Sequence, residues 1–247
     1  MKKLLFLIFS ASVLFSFKSS ETVEIKWDFS KYKKLTYEYQ QTVKSEIEPL
    51  KKDTMVILGK GSLELNVQNP NLANFTINMD SLISFELDSL GNKSNYDDEY
   101  PTFSLNLAET GENAMNSLKG TSEEFLINIL FPLVKDNISL NSETEIPLIA
   151  YSNNNGKLVA HEGKGLVNLS KKDEFYNLVL NYDSSNAMIN EEFDIEGDKI
   201  KAESQTEYDL ENRVFVKGYG VMIMAFYMNG KEISSKHEVN YKLISIE

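Results

Sequence analysis

Apolar and polar residues alternate one for one through most of this chain, and that period confines it to a small set of folds. In "SLELNV", Leu63, Leu65 and Val67 alternate with Ser62, Glu64 and Asn66. In "NFTINM", Phe75, Ile77 and Met79 alternate with Asn74, Thr76 and Asn78. "SLISFELD" continues the pattern and predicts Ile83, Phe85 and Leu87 on the core side, with Ser84, Glu86 and Asp88 in water. Earlier, "KLTYEYQQTV" sets Leu35, Tyr37, Tyr39 and Val43 against polar neighbours. Successive side chains of a strand point to opposite faces, so these runs are strands with one dry face and one wet face. That is the mark of an antiparallel sheet.

The connections agree. "MNGK" at Met228–Lys231 and "NNNGK" at Asn153–Lys157 are Asn-Gly hairpins between such runs, because both central residues of that turn need the left-handed backbone. "SLGN" at Ser89–Asn92 and "IEGD" at Ile195–Asp198 mark further turns. About ten to twelve strands follow from these signals. One stretch departs from the period. In "GTSEEFLINILFPLV", Thr121 with Glu124 forms a capping box, Phe125, Leu126, Ile129 and Leu130 recur at helical spacing, and Pro132 ends the run. A helix of about ten residues lying on a sheet face or across a barrel mouth is expected, and residues 109–118 before it read as helical too. The expected class is therefore all-β and mainly antiparallel, a curved sheet or half-barrel with one short helix packed as a lid.

Charge and composition narrow the partners. The chain carries −12 and a single arginine, Arg213. An acidic surface repels phosphate, and arginine is the usual tool for reading it, so nucleic acid is excluded as a partner. Cysteine is absent, which removes disulfides, thiolate metal sites, cysteine nucleophiles and acylation at cysteine. At the N-terminus Lys2 and Lys3 precede the apolar run Leu4–Phe17. That run has the length of a signal-peptide core rather than a membrane span, so residues 1–20 are expected to direct export to the periplasm or cell surface. The remainder is expected to stand outside the membrane. Asp-Ser/Thr-apolar steps place Thr54, Ser81 and Ser89 at sites resembling O-glycosylation acceptors.

The chain also repeats itself. "GKGSLEL" at Gly59–Leu65 returns as "GKGLVNL" at Gly163–Leu169, and "ANFTINMDS" at Ala73–Ser81 returns as "YNLVLNYDS" at Tyr176–Ser184. "SFELDSLGN" at Ser84–Asn92 parallels "TEYDLENRV" at Thr206–Val214, with Ala187–Ala202 as an added hairpin. Two copies of this length are not a solenoid. They predict a duplicated β-meander, one copy in residues 21–105 and one in 145–247, with 106–144 as a helical connector, all in one cooperative domain.

The order "ILFPLVKDNISLNSETEIPL", "GKGLVNL", "EYDLENRVFVKGYG" resembles uncharacterised exported β-rich proteins of Bacteroidota. Several of these look like the LolA/LppX class of half-barrel lipoprotein and lipid carriers. The resemblance implies a curved antiparallel sheet around a helical lid and assigns no individual residue a role.

No stretch carries a catalytic signature. His161 and His237 lie in strand runs away from any metalloprotease or nucleophile-elbow motif, and His161 and Glu162, being adjacent on a strand, face opposite ways. "NYDDEY" at Asn95–Tyr100 lacks the calcium-loop spacing. The glycines of the two GKG steps have no helix behind them to hold phosphate, and read instead as bulges or bends. A non-enzymatic protein without metal or cofactor is expected. The most suggestive run is "YGVMIMAFYMNG", where Val221, Ile223, Ala225 and Tyr227 oppose Met222, Met224, Phe226 and Met228. Both faces are apolar, so both are expected to be covered. One reading makes it a central core strand. The other has Met222, Met224 and Phe226 lining an apolar cavity under Phe125, Ile129 and Leu130, since methionine adapts to varied apolar partners. The functions that follow are an apolar groove for a lipid-like or other hydrophobic small molecule, or a cell-envelope module that binds a partner protein.

Overall fold

The computed structural model of the protein describes residues 21–47, 54–88, 90, 92–96, 103–110, 127–133, 137–154, 157–184, 199–228 and 231–247. In chain order the strands are β1 (Thr22–Val23), β2 (Lys34–Ile47), β3 (Thr54–Asn69), β4 (Leu72–Leu87), β5 (Lys93–Tyr96), β6 (Phe103–Leu107), β7 (Ile138–Ser139), β8 (Glu143–Asn154), β9 (Lys157–Lys172), β10 (Phe175–Asp183), β11 (Lys199–Asp209), β12 (Val214–Met228) and β13 (Lys231–Ile246). Short strands such as β1 and β7 bring the count above the ten to twelve expected. A helical turn, α1 (127–130), precedes Phe131 and Pro132.

Eleven strands form one antiparallel sheet in the order β5-β4-β3-β2-β13-β12-β11-β10-β9-β8, with β6 also paired to β4. The sheet is large and curved and does not close into a barrel. The C-terminal strand β13 lies between β2 and β12, so it stitches the meander of the first half to that of the second. The inner face is the one that carries Leu35, Tyr37, Leu63, Leu65, Phe75, Leu178, Leu180 and Tyr208, all of them fully buried.

One segment of the core lay beyond the reading of the sequence. Residues 21–33 run across the inner face with Val23, Ile25, Trp27 and Phe29 buried. The alternation "VEIKWDF" is the signal that could have found it. The segment is tied down by β1–β7 pairing, by the Trp27 amide donating to the Glu109 carbonyl at 3.1 Å, and by Tyr208 Oη donating to the Lys26 carbonyl at 2.5 Å. Arg213, the sole arginine, donates to Glu24 at 3.0 Å, and Lys26 bridges Glu24 and Glu109 at 3.1 and 3.2 Å. These contacts hold both carboxylate and cation in their charged forms: Glu24 is lowered by Lys26 and Arg213, and Lys26 is raised chiefly by Glu24.

Within β4 the alternation expected from the sequence fails, and the cause is a β-bulge. Gly61 pairs with Met79 but Lys60 pairs with Ser81, which leaves Asp80 as an extra residue. A one-residue insertion sends every later side chain to the opposite face. Beyond it, Leu82, Ser84 and Glu86 share the inner face, and Ile83, Phe85 and Leu87 turn outward, contrary to the sequence expectation. Ser84 is fully buried while Ile83 is 49% exposed. Gly61 makes the bulge feasible, because a Cβ there would lie 1.9 Å from the Asn78 carbonyl oxygen. The GKG step of β9 pairs without any shift of register, so its glycines do not mark a bulge. Gly163 instead accommodates the Tyr182 ring.

The two similar segments occupy equivalent hairpins. Leu63 pairs with Ile77 and Leu65 with Phe75 in the first, and Val167 with Leu180 and Leu169 with Leu178 in the second. The turns that follow also match in construction. Asp88 accepts from the Asn92 amide and from its side-chain Nδ2, each at 2.8 Å, and Asp209 accepts from the corresponding groups of Asn212 at 3.0 and 2.7 Å. Met228 pairs with Lys231 and Asn154 with Lys157 at the ends of the Asn-Gly hairpins. The Thr121–Glu124 capping box, the "IEGD" turn, most of the Ala187–Ala202 insertion and residues 1–20 lie outside the described residues.

Candidate functional site

The inner face runs from a sealed half to a half where several described side chains are only partly buried. In the sealed half, Trp27 and Phe131 sit on the sheet among Tyr37, Phe75, Phe215 and Tyr241. Ring centroids are 5.3 Å apart for Trp27–Phe131, 5.6 Å for Trp27–Phe215 and 4.6 Å for Phe131–Tyr241. Tilted and edge-on packing at these distances is favourable beyond the buried area alone. Burial pushes the phenols of Tyr32, Tyr37 and Tyr39 upward, and that of Tyr241 well above its ordinary value. Trp27 Nε1 and Tyr37 Oη lie close enough for the indole to moderate the rise at Tyr37, although neither atom reaches hydrogen-bond geometry.

Small residues on β11 and β12 let α1 sit directly on the sheet. Gly218 lies beneath the Tyr241 ring, and a Cβ at Gly220 would be 3.0 Å from Leu130 Cδ2 and 3.6 Å from Ile129 Cγ2. Tyr241 Oη donates to the Leu130 carbonyl at 2.9 Å. The last carbonyls of a helix have no partner within the helix, so this bond both caps α1 and pins it. Pro132 closes the turn, since the helix stops one residue before Phe131, as its sequence position predicts.

The structure places Ile129 and Leu130 over Gly220, and Met222 two residues further along the same face of β12. All three are buried, Ile129 and Leu130 completely and Met222 to 3%. That part of the face is filled by the protein's own side chains. Met224, one step further along β12, is only partly buried. Phe125 lies outside the described residues, as does the side chain of Phe226.

From Met224 outward several described side chains of the inner face are only partly buried, although Ser84 and Ser235 are buried. His237 pairs across the sheet with Met222 and Val43, and Ser235 pairs with Met224 and Ser45. Val43 and Ser45 pair in turn with Ile57 and Met55 of β3. Val43, Ser45, Ile57, Met224 and His237 are half-buried, and Met55 is 42% exposed. Polar residues share this face: Ser84 and Glu86 stand in register with Ile57 and Met55, and Lys231 with Met228. Ser45 Oγ and Ser235 Oγ share a hydrogen bond at 3.1 Å. Burial pushes the His237 imidazole below its usual range, which favours the neutral ring. His237 was not singled out by any motif. Its interior position follows from register with Val43 and Met222, which sequence alone does not give.

The outer face of β12 departs from expectation. Val221 is half-buried and Ile223 is 44% exposed, so the second apolar face of "YGVMIMAFYMNG" is not covered. Tyr219, Leu58 and Ile83 add to the exposed apolar area on this side. Tyr219 Oη donates to Glu238 at 3.1 Å, and Lys236 donates to the same carboxylate at 2.8 Å. Among the described residues no group of three or more His, Asp or Glu side chains is placed to hold a metal, and no helix is long and apolar enough to cross a membrane.

No family model matches the chain, and no curated protein matches it. A solved structure reported under the heading "Lipid-protein interactions in lipovitellin" is similar in fold. The TM-score is 0.54 at 10% identity, over 89% of this chain and 26% of that one. The chain therefore spans about a quarter of the length of that protein. At this identity the likeness extends to the fold, a large antiparallel sheet with one face turned inward.

Proposed function

We propose that the protein is an exported, non-enzymatic binding protein whose curved sheet holds a lipid-like or other hydrophobic ligand against the less buried half of its inner face. The observation that carries this reading is the change along one continuous face. It is sealed by Trp27, Phe131 and α1 at one end, and it leaves Val43, Met55, Ile57 and Met224 partly uncovered at the other. Apolar surface next to a finished core costs about 25 cal/mol per Å² while it faces water, so a ligand that covers it is stabilised in proportion to area. Methionine at two of these positions suits acyl or isoprenoid chains of variable shape. The similarity to a protein described for its lipid–protein interactions supports the same reading. So does the resemblance of the sequence to half-barrel carriers, and the two meanders are taken as copies of one ancestral unit.

Native mass spectrometry of protein purified from its own cell envelope tests this. A copurified lipid mass, lost in Met224→Lys, is the expected result. A protein that emerges empty and takes up no apolar dye would sink the reading. A second reading has its own observation. Leu58, Ile83, Tyr219 and Ile223 leave apolar area exposed on the outer face, which suits docking of an envelope protein. Copurification of one stoichiometric protein, abolished by Ile83→Asp and Ile223→Asp together, would favour it.

A further inference from the structure

A row of uncharged side chains crosses the outer face at right angles to the strands. Register lines up Gln40 of β2, Asn240 of β13, Tyr219 of β12, Gln205 of β11, Val179 of β10 and Asn168 of β9, each the direct partner of the next. The residues flanking them along each strand, such as Tyr39, Val239, Leu178 and Leu169, are buried, so alternation turns the row outward. Asn168, Gln205, Tyr219 and Asn240 are exposed, and Gln40 and Val179 are half-buried. The spacing of neighbouring strands makes the row about 24 Å long. Charged residues are 25% of the chain, yet none interrupts the row between β2 and β9. The adjoining row holds Glu38, Lys242, Lys217 and Glu207, balanced in sign, and Lys217 bridges Glu207 at 3.0 Å.

Two hollows lie on this row and have Asn240 as a common wall. One, of about 350 Å³, is lined by Gln205, Tyr219 and Asn240 together with the Lys217–Glu207 pair. The other, of about 330 Å³, is lined by Gln40, Lys60, Ser81, Ile83 and Asn240. The polar groups along the row are held in place. Gln205 Nε2 donates to Asn177 at 3.1 Å and Gln40 Nε2 to Glu38 at 3.1 Å, so each amide keeps a second N–H and a carbonyl oxygen for an outside partner. Glu238 accepts from Tyr219 Oη at 3.1 Å. That bond fixes the phenol at its hydroxyl while 41% of the residue stays exposed.

A ligand matched to this row is extended, uncharged for most of its length, and able both to donate and to accept hydrogen bonds at intervals. A carbohydrate chain meets all three demands. Each of its hydroxyls donates and accepts, as each amide does, and the C–H face of a sugar ring packs on the negative face of an aromatic ring. An extended peptide is recognised by a sheet through free backbone groups at an edge, and the strands of this row are bonded to a neighbour on both sides. We propose that the outer face binds a carbohydrate chain laid across β2, β13, β12 and β11. Tyr219 is its stacking platform, and Gln40, Asn240 and Gln205 are its hydrogen-bonding groups. The site is on the opposite side of the sheet from the inner-face patch and does not depend on it.

Maltohexaose, cellohexaose and N-acetylchitohexaose, uncharged hexasaccharides of different linkage and substitution, titrated into the full chain by calorimetry test this. At least one is expected to bind with a Kd below about 1 mM, and to shift the side-chain amide NMR signals of Gln40, Asn240 and Gln205. The disaccharide of the same sugar, which spans less of the row, should bind at least about ten-fold more weakly. Tyr219→Ala and Asn240→Ala should each weaken the hexasaccharide by about ten-fold, whereas Met224→Lys on the inner face should leave it within about two-fold. Trp27 emission in a urea titration confirms that each variant is folded. Binding by none of the three sugars, or binding that Tyr219→Ala and Asn240→Ala leave unchanged, overturns the inference. So does capture of one stoichiometric protein that Tyr219→Ala abolishes and no hexasaccharide displaces, since the row then belongs to a protein interface.

Discussion

Tyr241→Phe isolates the contact that fixes α1 over the sheet. The substitution keeps the ring that covers Gly218 and that packs 4.6 Å from Phe131 and 5.6 Å from Tyr37. It removes one buried hydrogen bond, the 2.9 Å donation from Tyr241 Oη to the Leu130 carbonyl. Leu130 is fully buried, so no water replaces the lost donor. A net hydrogen bond is worth about 1 kcal/mol, and a buried carbonyl left unpaired costs about 1–3 kcal/mol more than a solvated one. Part of this is offset because phenylalanine has no hydroxyl to desolvate. A loss of about 1.5–2 kcal/mol in unfolding free energy is expected. The single tryptophan, Trp27, is fully buried against Phe131, so its emission reports unfolding of this part of the core in a urea titration. Amide exchange sharpens the test. The Phe131 amide donates to the Ile127 carbonyl at 2.8 Å, and its protection should fall by more than the global loss if α1 is released locally. A variant within about 0.5 kcal/mol of the parent, with unchanged protection at Phe131, would refute the view that Tyr241 holds the helix end.

Two further outcomes follow from the fold. Because of the bulge at Asp80, Ile83→Ser should cost under about 1 kcal/mol in urea titration, whereas Ser84→Asp, which buries a charge, should cost upwards of about 3 kcal/mol; the reverse order would restore unbroken alternation through β4. Stability should fall at both extremes of pH. The buried tyrosines have raised values in the folded state, so their contribution is complete below about pH 10, where the unfolded phenols remain protonated, and is lost above it. His237 is lowered, so the unfolded chain binds its proton first, and stability declines as pH drops through about 6.5. Urea midpoints measured across pH should show the acid shoulder vanish in His237→Leu; its persistence would place the shoulder on other groups.

The architecture was legible because it depends on a local rule. Period-two patterning in β2, β3 and the first part of β4, the Asn-Gly hairpins, and Pro132 at the end of the helix all act within a few residues of themselves. Which apolar positions are covered was not legible in the same way. Ile129 and Leu130 pack over Gly220, Met222 is buried on the same face, and the less buried positions begin beside it, at Met224, Val43 and His237. Sequence pattern distinguishes apolar from polar positions. It does not say which apolar positions another element will cover.

What the sequence determined by itself was the class of fold, its acidic surface, its freedom from cysteine chemistry and the identity of most inward-facing side chains. Side-chain direction in a strand is a property of the backbone alone. Tertiary structure decided the rest. An extra residue at Asp80 reversed the faces of β4 without any change in the apparent pattern. The run at residues 21–33 became a plug because β7, Tyr208 and Arg213 hold it there. His237 became an interior group because β13 happens to register Met222 on one side and Val43 on the other. Each is a matter of which strands lie next to each other across long separations in the chain, and that is set by the packing of the whole sheet.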